Sequence, residues 1–307
     1  METPYSNLKV WFDGKTMGFD EATVPVTVHS LQYGSGIFEG IRAYKTEKGP
    51  AIFRLKEHVR RFFDTAKIYG MDLGYTPEQI NNAIVETVKM NSLDSCYIRP
   101  FAFYNDVRIG LSTEGKKISV YIAAIPLGSY FGETQEKGAK CKTSSWRRIN
   151  SDIIPVRAKA SGNYLNSILT SREVKNAGFD EAILLSGNGY LAEGPGENIF
   201  IARDGKLFTP GTSADILVGI TRDTIIEIAG DKGIEVVERD IHREEIYVAD
   251  EAFFCGTAAE VTPIASVDGI KVGSGKRGPI TSSIAQIYFD TVAGKVSKYE
   301  KWLTYVK

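Results

Sequence analysis

The chain has 307 residues, with 37 basic and 38 acidic side chains and a formal net charge of −1. That balance lacks the basic stripe needed to neutralise a phosphate backbone, so no nucleic-acid partner is expected. Its composition, 43% hydrophobic and 24% charged, is that of a globular protein. A chain of this length forms one large domain or two, and buries about 75% of the surface it exposes when unfolded.

The N-terminus, Met1-Glu2-Thr3-Pro4-Tyr5, has no basic segment leading into an apolar run, so no secretion signal is read there. The longest apolar-rich stretch, Ile118 to Leu127, is about half of what a membrane-spanning helix needs. Three widely spaced cysteines, Cys96, Cys141 and Cys255, form no C-x-x-C pair. They read as reduced, buried thiols in a cytoplasmic protein.

In chain order, Leu8–Phe12 and Lys15–Phe19 flank Asp13-Gly14, a dipeptide suited to a tight hairpin. Strands are predicted at Gly36–Tyr44 and Ala51–Phe53. Leu55, Val59, Phe62, Ala66 and Tyr69 recur at helical spacing, predicting a helix from about Lys56 to Tyr69 whose other side carries Arg54, His58 and Arg61. A second helix opens at Thr76-Pro77-Glu78-Gln79, a capping-box pattern with proline in the first turn, and continues to Asn91. Ser95–Asn105 and Lys117–Pro126 are dense in aromatic and β-branched residues and read as strands. Periodicity then disappears from Leu127 to Gly138, which divides the chain into residues 1–126, a link at 127–136, and residues 137–307.

The second part opens with a polar strand near Cys141–Trp146 and a helix over about Asn163–Asn176, stopped by Gly178. Strand-like runs follow, separated by Gly187-Asn188-Gly189 and Asp204-Gly205. A helix begins just after Gly219-Ile220-Thr221 and ends near Gly233. Strands at Ile234–Glu238 and Glu251–Cys255 lead to Gly256-Thr257-Ala258. Helices and strands mix without regular βαβ alternation, which argues for an α+β fold.

Lys159 lies among small residues, Val156-Arg157-Ala158-Lys159-Ala160-Ser161-Gly162, at a strand-to-helix junction. Taken by itself it reads as a solvent-facing loop lysine. As a nucleophile it would need desolvation or a neighbouring cation to free its amine. Gly219-Ile220-Thr221, opening a helix, offers backbone N–H groups to an anion, although helix capping alone would account for it. Thr257, after a strand and a glycine, offers a hydroxyl and an amide. Arg61 stands on the polar side of the first helix, with Arg60 read as its solvent-facing neighbour.

Four blocks in order carry a resemblance: Tyr33-Gly34-x-Gly36-x-Phe38-Glu39-Gly40-Ile41-Arg42, then Lys159-x-x-x-Asn163-Tyr164, Glu193-Gly194-Pro195-Gly196-Glu197-Asn198-Ile199-Phe200, and Gly256-Thr257-Ala258-Ala259-Glu260-Val261-Thr262-Pro263. Over nearly the whole chain they resemble the fold-type IV class of pyridoxal-phosphate (PLP) enzymes. That class holds the branched-chain aminotransferases, D-amino-acid aminotransferases and aminodeoxychorismate lyases. The resemblance implies a two-domain, D-amino-acid-aminotransferase-like α+β fold, with a small domain, a larger PLP-binding domain and the cofactor between them. It implies that Lys159 anchors PLP covalently and moves the substrate proton. Glu193 would pair with the ring nitrogen, and Tyr164 with the phenolic oxygen. Arg61, Gly219, Ile220, Thr221 and Thr257 would hold the phosphate.

Tyr97-Ile98-Arg99-Pro100 resembles the Tyr-x-Arg-Pro signature of the branched-chain aminotransferases in particular. The resemblance implies that Arg99 and Tyr33, the latter from a partner subunit, receive the γ-carboxylate of glutamate. Phe38, Tyr97 and Tyr130 would wall an apolar pocket, and the amides of Thr257 and Ala258 would meet the α-carboxylate. The expected activity moves the amino group of L-leucine, L-isoleucine or L-valine to 2-oxoglutarate, in a homodimer or higher homo-oligomer, with no metal. A D-amino-acid transaminase or an aminodeoxychorismate lyase of the same fold is the rival. Many bacterial members carry tryptophan where this chain has Leu127, which bears on pocket size. Arg108 is a further cation, read either as reaching the entrance or as a solvated loop residue.

Overall fold

The computed structural model describes residues 3–128 and 131–307. Two compact units emerge: Met1–Leu127 with Ala158–Gly162 and Thr291–Lys307, and Gly128–Arg157 with Asn163–Asp290.

The first unit begins with the expected hairpin, β1 (Lys9–Phe12) and β2 (Lys15–Gly18). Asp13 and Gly14 both take positive φ, 45° and 82°, the twist a two-residue turn needs between right-handed strands. There follow α1 (His29–Tyr33), β3 (Gly36–Phe38), β4 (Ile41–Thr46), β5 (Gly49–Phe53), α2 (Leu55–Ile68), α3 (Pro77–Met90), β6 (Cys96–Tyr104) and β7 (Ile118–Ile125). The antiparallel sheet runs from a strand at Leu303–Tyr305 through β5, β4, β6, β7 and β1 to β2, with β3 also paired to β6. Ile41, Ile98 and Ile122 from the sheet pack with Val59, Phe62, Ile80 and Ile84 from the two helices in one core.

The predicted single strand at 36–44 is two strands, because β6 changes partner along its length. Its first residues pair with β4 and its later ones with β3. Glu39 and Gly40 fill the break, and Glu39 N–H donates to Pro100 O at 2.9 Å. In an antiparallel ladder a residue's nitrogen and carbonyl face the same neighbour, so Pro100, which lacks an N–H, sits where the partner strand is interrupted.

The second unit comprises α4 (Thr134–Lys137), β8 (Ala139–Arg147), α5 (Tyr164–Asn176), β9 (Glu181–Leu185), β10 (Leu191–Glu193), β11 (Asn198–Arg203), β12 (Lys206–Pro210), α6 (Ile220–Asp231), β13 (Val236–Arg239), β14 (Glu251–Gly256), β15 (Glu260–Val267), β16 (Ile270–Lys271) and most of α7 (Pro279–Val292). The strand order is β10-β9-β8-β15-β14-β11-β12-β13, and a further β10–β11 pairing closes six of these strands into a ring. Pairing is parallel for β8–β9, β8–β15 and β12–β13 and antiparallel elsewhere. The fold is thus α+β.

The division read from the sequence needs correcting. A single cut at 127–136 assigns residues 158–162 and 291–307 to the second part, yet both pack with the first. Ala160 bridges Ile37, and Leu303–Tyr305 pairs with β5. The supposed link also contains the first three residues of α4, a single turn.

Candidate active site

In the first unit, α2 presents His58, Arg61 and Thr65 at spacings of three and four, hence on one face. Thr65 Oγ1 accepts a hydrogen bond from Lys159 N at 3.2 Å, and Lys159 O accepts from Phe38 N at 3.0 Å. The lysine backbone is therefore pinned between α2 and β3, with Nζ 5.2 Å from the Phe38 ring centroid. Small neighbours make this possible, since Ala158 and Ala160 are buried on either side.

Glu39, at the β3–β4 break, has no solvent exposure. Its carboxylate accepts from Arg61 Nε at 2.6 Å and Arg61 Nη2 at 2.9 Å, and lies 2.7 Å from His58 Nδ1. Burial pushes this carboxyl up, but Arg61 and His58 together hold it well below the usual carboxylate range. Burial pushes His58 down, against the pull of Glu39, so its neutral form is favoured. The two-point contact fixes the plane of the Arg61 guanidinium. Arg60, as expected, faces solvent, 3.9 Å from Asp64.

Along β6, alternate residues share a face, which brings Tyr97 and Arg99 together. Arg99 Nη2 donates to Tyr97 Oη at 2.8 Å, and the guanidinium lies 4.4 Å from the Phe38 ring centroid and 5.2 Å from that of Tyr97. Its Nε is buried without a hydrogen-bond partner. Gly40 makes room for the phenol, because a Cβ there would lie 2.1 Å from Tyr97 Oη. On the same side of the sheet Arg99, Phe101, Phe103 and Tyr121 line a cavity of about 510 Å³.

Within the chain Tyr33 does not meet Arg99; its hydroxyl accepts from Gly110 N at 3.2 Å. Arg108 closes its own loop, with Nε and Nη2 on Asp106 at 2.9 and 2.7 Å and Nη2 also on Gly115 O at 3.0 Å. Tyr130, expected as a pocket wall, lies outside the described residues.

In the second unit, Glu193 sits where β10 closes the ring of strands, opposite Leu184 on β9 and Asn198 on β11. Its carboxylate is buried and surrounded by donors. Arg148 Nε lies 2.8 Å from Oε1, while Asn198 Nδ2 and Leu217 N donate to Oε2 at 3.0 and 3.1 Å. Asn198 Nδ2 also donates to Leu217 O at 2.9 Å, tying β11 to the segment that enters α6. Gly219 precedes that helix with no side chain capping it, so the first amides of α6 point at no side-chain acceptor. A helix start of that kind receives anions. Thr257 and Ala258 are half-buried in the turn after β14, and Tyr164 is the first residue of α5.

Each unit by itself offers groups of the kind PLP needs: the first a lysine whose backbone is pinned, the second a donor-ringed carboxylate and a helix start without a side-chain cap. Sequence reasoning missed Arg148, Thr65 and the roles of Glu39, His58 and Asn198. Glu39 and Asn198 lie inside the quoted blocks, but Arg148, in Trp146-Arg147-Arg148, carries no pattern that marks it. Among the described residues no set of His, Cys, Asp or Glu side chains is placed to hold a metal ion.

Residues 36–267 match the family described as amino-transferase class IV. The branched-chain-amino-acid aminotransferase of Pseudomonas aeruginosa is 48% identical over 299 residues, 97% of each chain. A branched-chain aminotransferase of Thermoproteus uzoniensis, solved with norvaline, superposes with a TM-score of 0.94 at 49% identity, covering 98% of this chain and 99% of that one. The branched-chain amino acid aminotransferase of Thermobaculum terrenum, solved in its PLP form, gives a TM-score of 0.91 at 37% identity, covering 97% of this chain and 98% of that one. The chain belongs to the class IV amino-transferases.

Proposed function

We propose that the chain is a PLP-dependent branched-chain amino acid transaminase that passes the amino group of L-leucine, L-isoleucine or L-valine to 2-oxoglutarate in two half-reactions. Bound PLP supplies an electron sink for the charge left at the substrate Cα when its proton departs. The Lys159 ε-amine anchors the cofactor and, once displaced by substrate, moves that proton. Glu193, steadied by Arg148, Asn198 and Leu217, keeps a proton on the ring nitrogen. Tyr164 donates to the phenolic oxygen. Arg61, oriented by Glu39, holds the phosphate together with Thr257 and the amides of Ile220 and Thr221.

The observation that carries the substrate assignment is Arg99. Its guanidinium lies against Phe38 and Tyr97 with a buried Nε that has no partner. An apolar side chain meets aromatic faces there, and a γ-carboxylate meets an unsatisfied cation. Tyr33 of the partner subunit completes this pocket in a homodimer, and the backbone amides of Thr257 and Ala258 take the α-carboxylate. The three cysteines are free and buried, in keeping with a cytoplasmic protein, and no helix among the described residues is long and apolar enough to cross a membrane.

Lys159→Ala is expected to abolish both half-reactions and the absorbance of lysine-bound cofactor; retention of that absorbance refutes the anchor. Single additions of L-leucine, D-alanine and aminodeoxychorismate to the wild type, read from the cofactor spectrum, separate the transaminase from its two rivals.

A further inference from the structure

Glu197 stands four residues after Glu193, at the end of the Gly194-Pro195-Gly196 turn, and is 5% exposed. Its backbone closes the turn, with Gly194 N donating to Glu197 O at 2.8 Å. Its carboxyl then folds back: Oε2 accepts from Gly196 N at 3.1 Å, while Oε1 is buried with no hydrogen-bond partner. The fit is close on two sides. A Cβ on Gly194 would lie 2.3 Å from Glu197 Oε1, and a Cβ on Gly256 would lie 3.4 Å from Glu197 Cβ. One residue thus fills the space against both the turn that carries Glu193 and the turn that leads to Thr257 and Ala258.

The electrostatic setting does not suit an anion. The titratable groups facing Glu197 are Glu181 at the start of β9, Glu193 on β10, Cys141 on β8, Cys255 on β14 and Lys175 on α5. The cation, Lys175, forms no ion pair with it. A buried carboxylate without a counter-charge, beside two other carboxyls, is the costlier of its two forms. Burial first, and Glu181 next, push the Glu197 carboxyl well above the usual range.

We propose that Glu197 is held as the neutral acid and serves as the positioning residue that keeps the Glu193 turn in place against the Gly256–Ala258 turn. The positioning role rests on the cofactor assignment made above, whereas the protonation state does not.

The sign of the pH effect separates this from an ionised, paired carboxylate. An unfolded glutamate releases its proton near pH 4.3. If the folded group holds its proton to higher pH, it costs stability progressively as pH rises through the folded value. Gln carries the same shape with no proton to lose. Urea unfolding of the full chain should therefore show Glu197→Gln gaining on the wild type as pH rises from about 5 to about 8. A Gln variant that instead falls behind at neutral pH overturns the neutral-acid assignment. Burial pushes the neighbouring Glu181 carboxyl up as well, so Glu181→Gln is run in parallel to apportion the effect.

For positioning, Glu197→Ala is expected to weaken PLP binding and raise KM for leucine by about tenfold each, with Glu197→Gln restoring both. Gln as poor as Ala, or Ala indistinguishable from wild type, overturns the role. The unfolding measurement uses no substrate, so it stands even if the Lys159→Ala spectrum refutes the cofactor anchor.

Discussion

Glu39 combines zero exposure with a guanidinium on both carboxylate oxygens and an imidazole nitrogen at 2.7 Å. Removing its charge leaves Arg61 without its counter-ion, and Glu39→Gln is expected to cost about 3–5 kcal/mol. The midpoint of urea unfolding checks this, and a loss below about 1 kcal/mol would mean that solvent screens the pair. The pH dependence follows from both shifts. Glu39 and His58 are each depressed in the folded protein, so for each the unfolded chain binds the proton first as pH falls. Stability is therefore fully present above about pH 6.5, erodes as His58 of the unfolded chain protonates, and erodes further below about pH 4.3 as Glu39 follows. At this scale the sequence was partly readable. Lys159 and Glu193 stood in recognisable blocks and Arg61 on the polar side of a helix, but the support from Arg148 was not legible, because a salt bridge between Glu193 and Arg148 is a long-range contact with no periodicity to reveal it.

Helix starts show which local signals survive into the fold. Thr76 and Gln79 form the reciprocal cap that the capping-box pattern predicts, Gln79 N donating to Thr76 Oγ1 at 3.2 Å and Thr76 N to Gln79 Oε1 at 2.7 Å. The start of α6 obeys a different constraint. Gly219 has φ −75°, open to any residue, so backbone freedom is not why glycine is there. Space is the reason, because a Cβ would lie 2.0 Å from Asn198 Oδ1. Gly219→Ala should displace the Asn198 amide that serves Glu193 and Leu217, raising the PLP dissociation constant about tenfold for about 1 kcal/mol of stability. Titration of the cofactor-free chain with PLP tests this, and an unchanged constant would show that the helix start tolerates the shift. Three helices escaped reading. The five residues of α1 and the four of α4 are too few to show a period, and α7 interleaves its apolar residues with Thr and Ser, which suit strands and turns as well as helices.

At the scale of the whole molecule, the irregular mixing of helices and strands pointed to the α+β class, whereas the exchange of segments was not legible. No local pattern records that 158–162 packs beside Phe38 and Thr65, or that the segment after Thr291 returns to the first sheet. Trp302 is 5% exposed, stacks on Tyr299 at 4.4 Å and accepts the Arg54 N–H on its carbonyl at 2.7 Å. Trp302→Ala is expected to lower the stability of the first unit by about 3–5 kcal/mol in denaturant unfolding; an unchanged midpoint would mean that this segment is merely laid on the surface.

Pairing of Leu303 with Phe53 also sets a schedule for biosynthesis. As the polypeptide leaves the ribosome, β5 emerges long before the strand that covers its outer edge, and the lysine segment emerges between the two. The nascent first unit must therefore wait with an open edge while the whole second unit is being made. An uncovered strand edge is where a nascent chain is most open to mispairing with a neighbour.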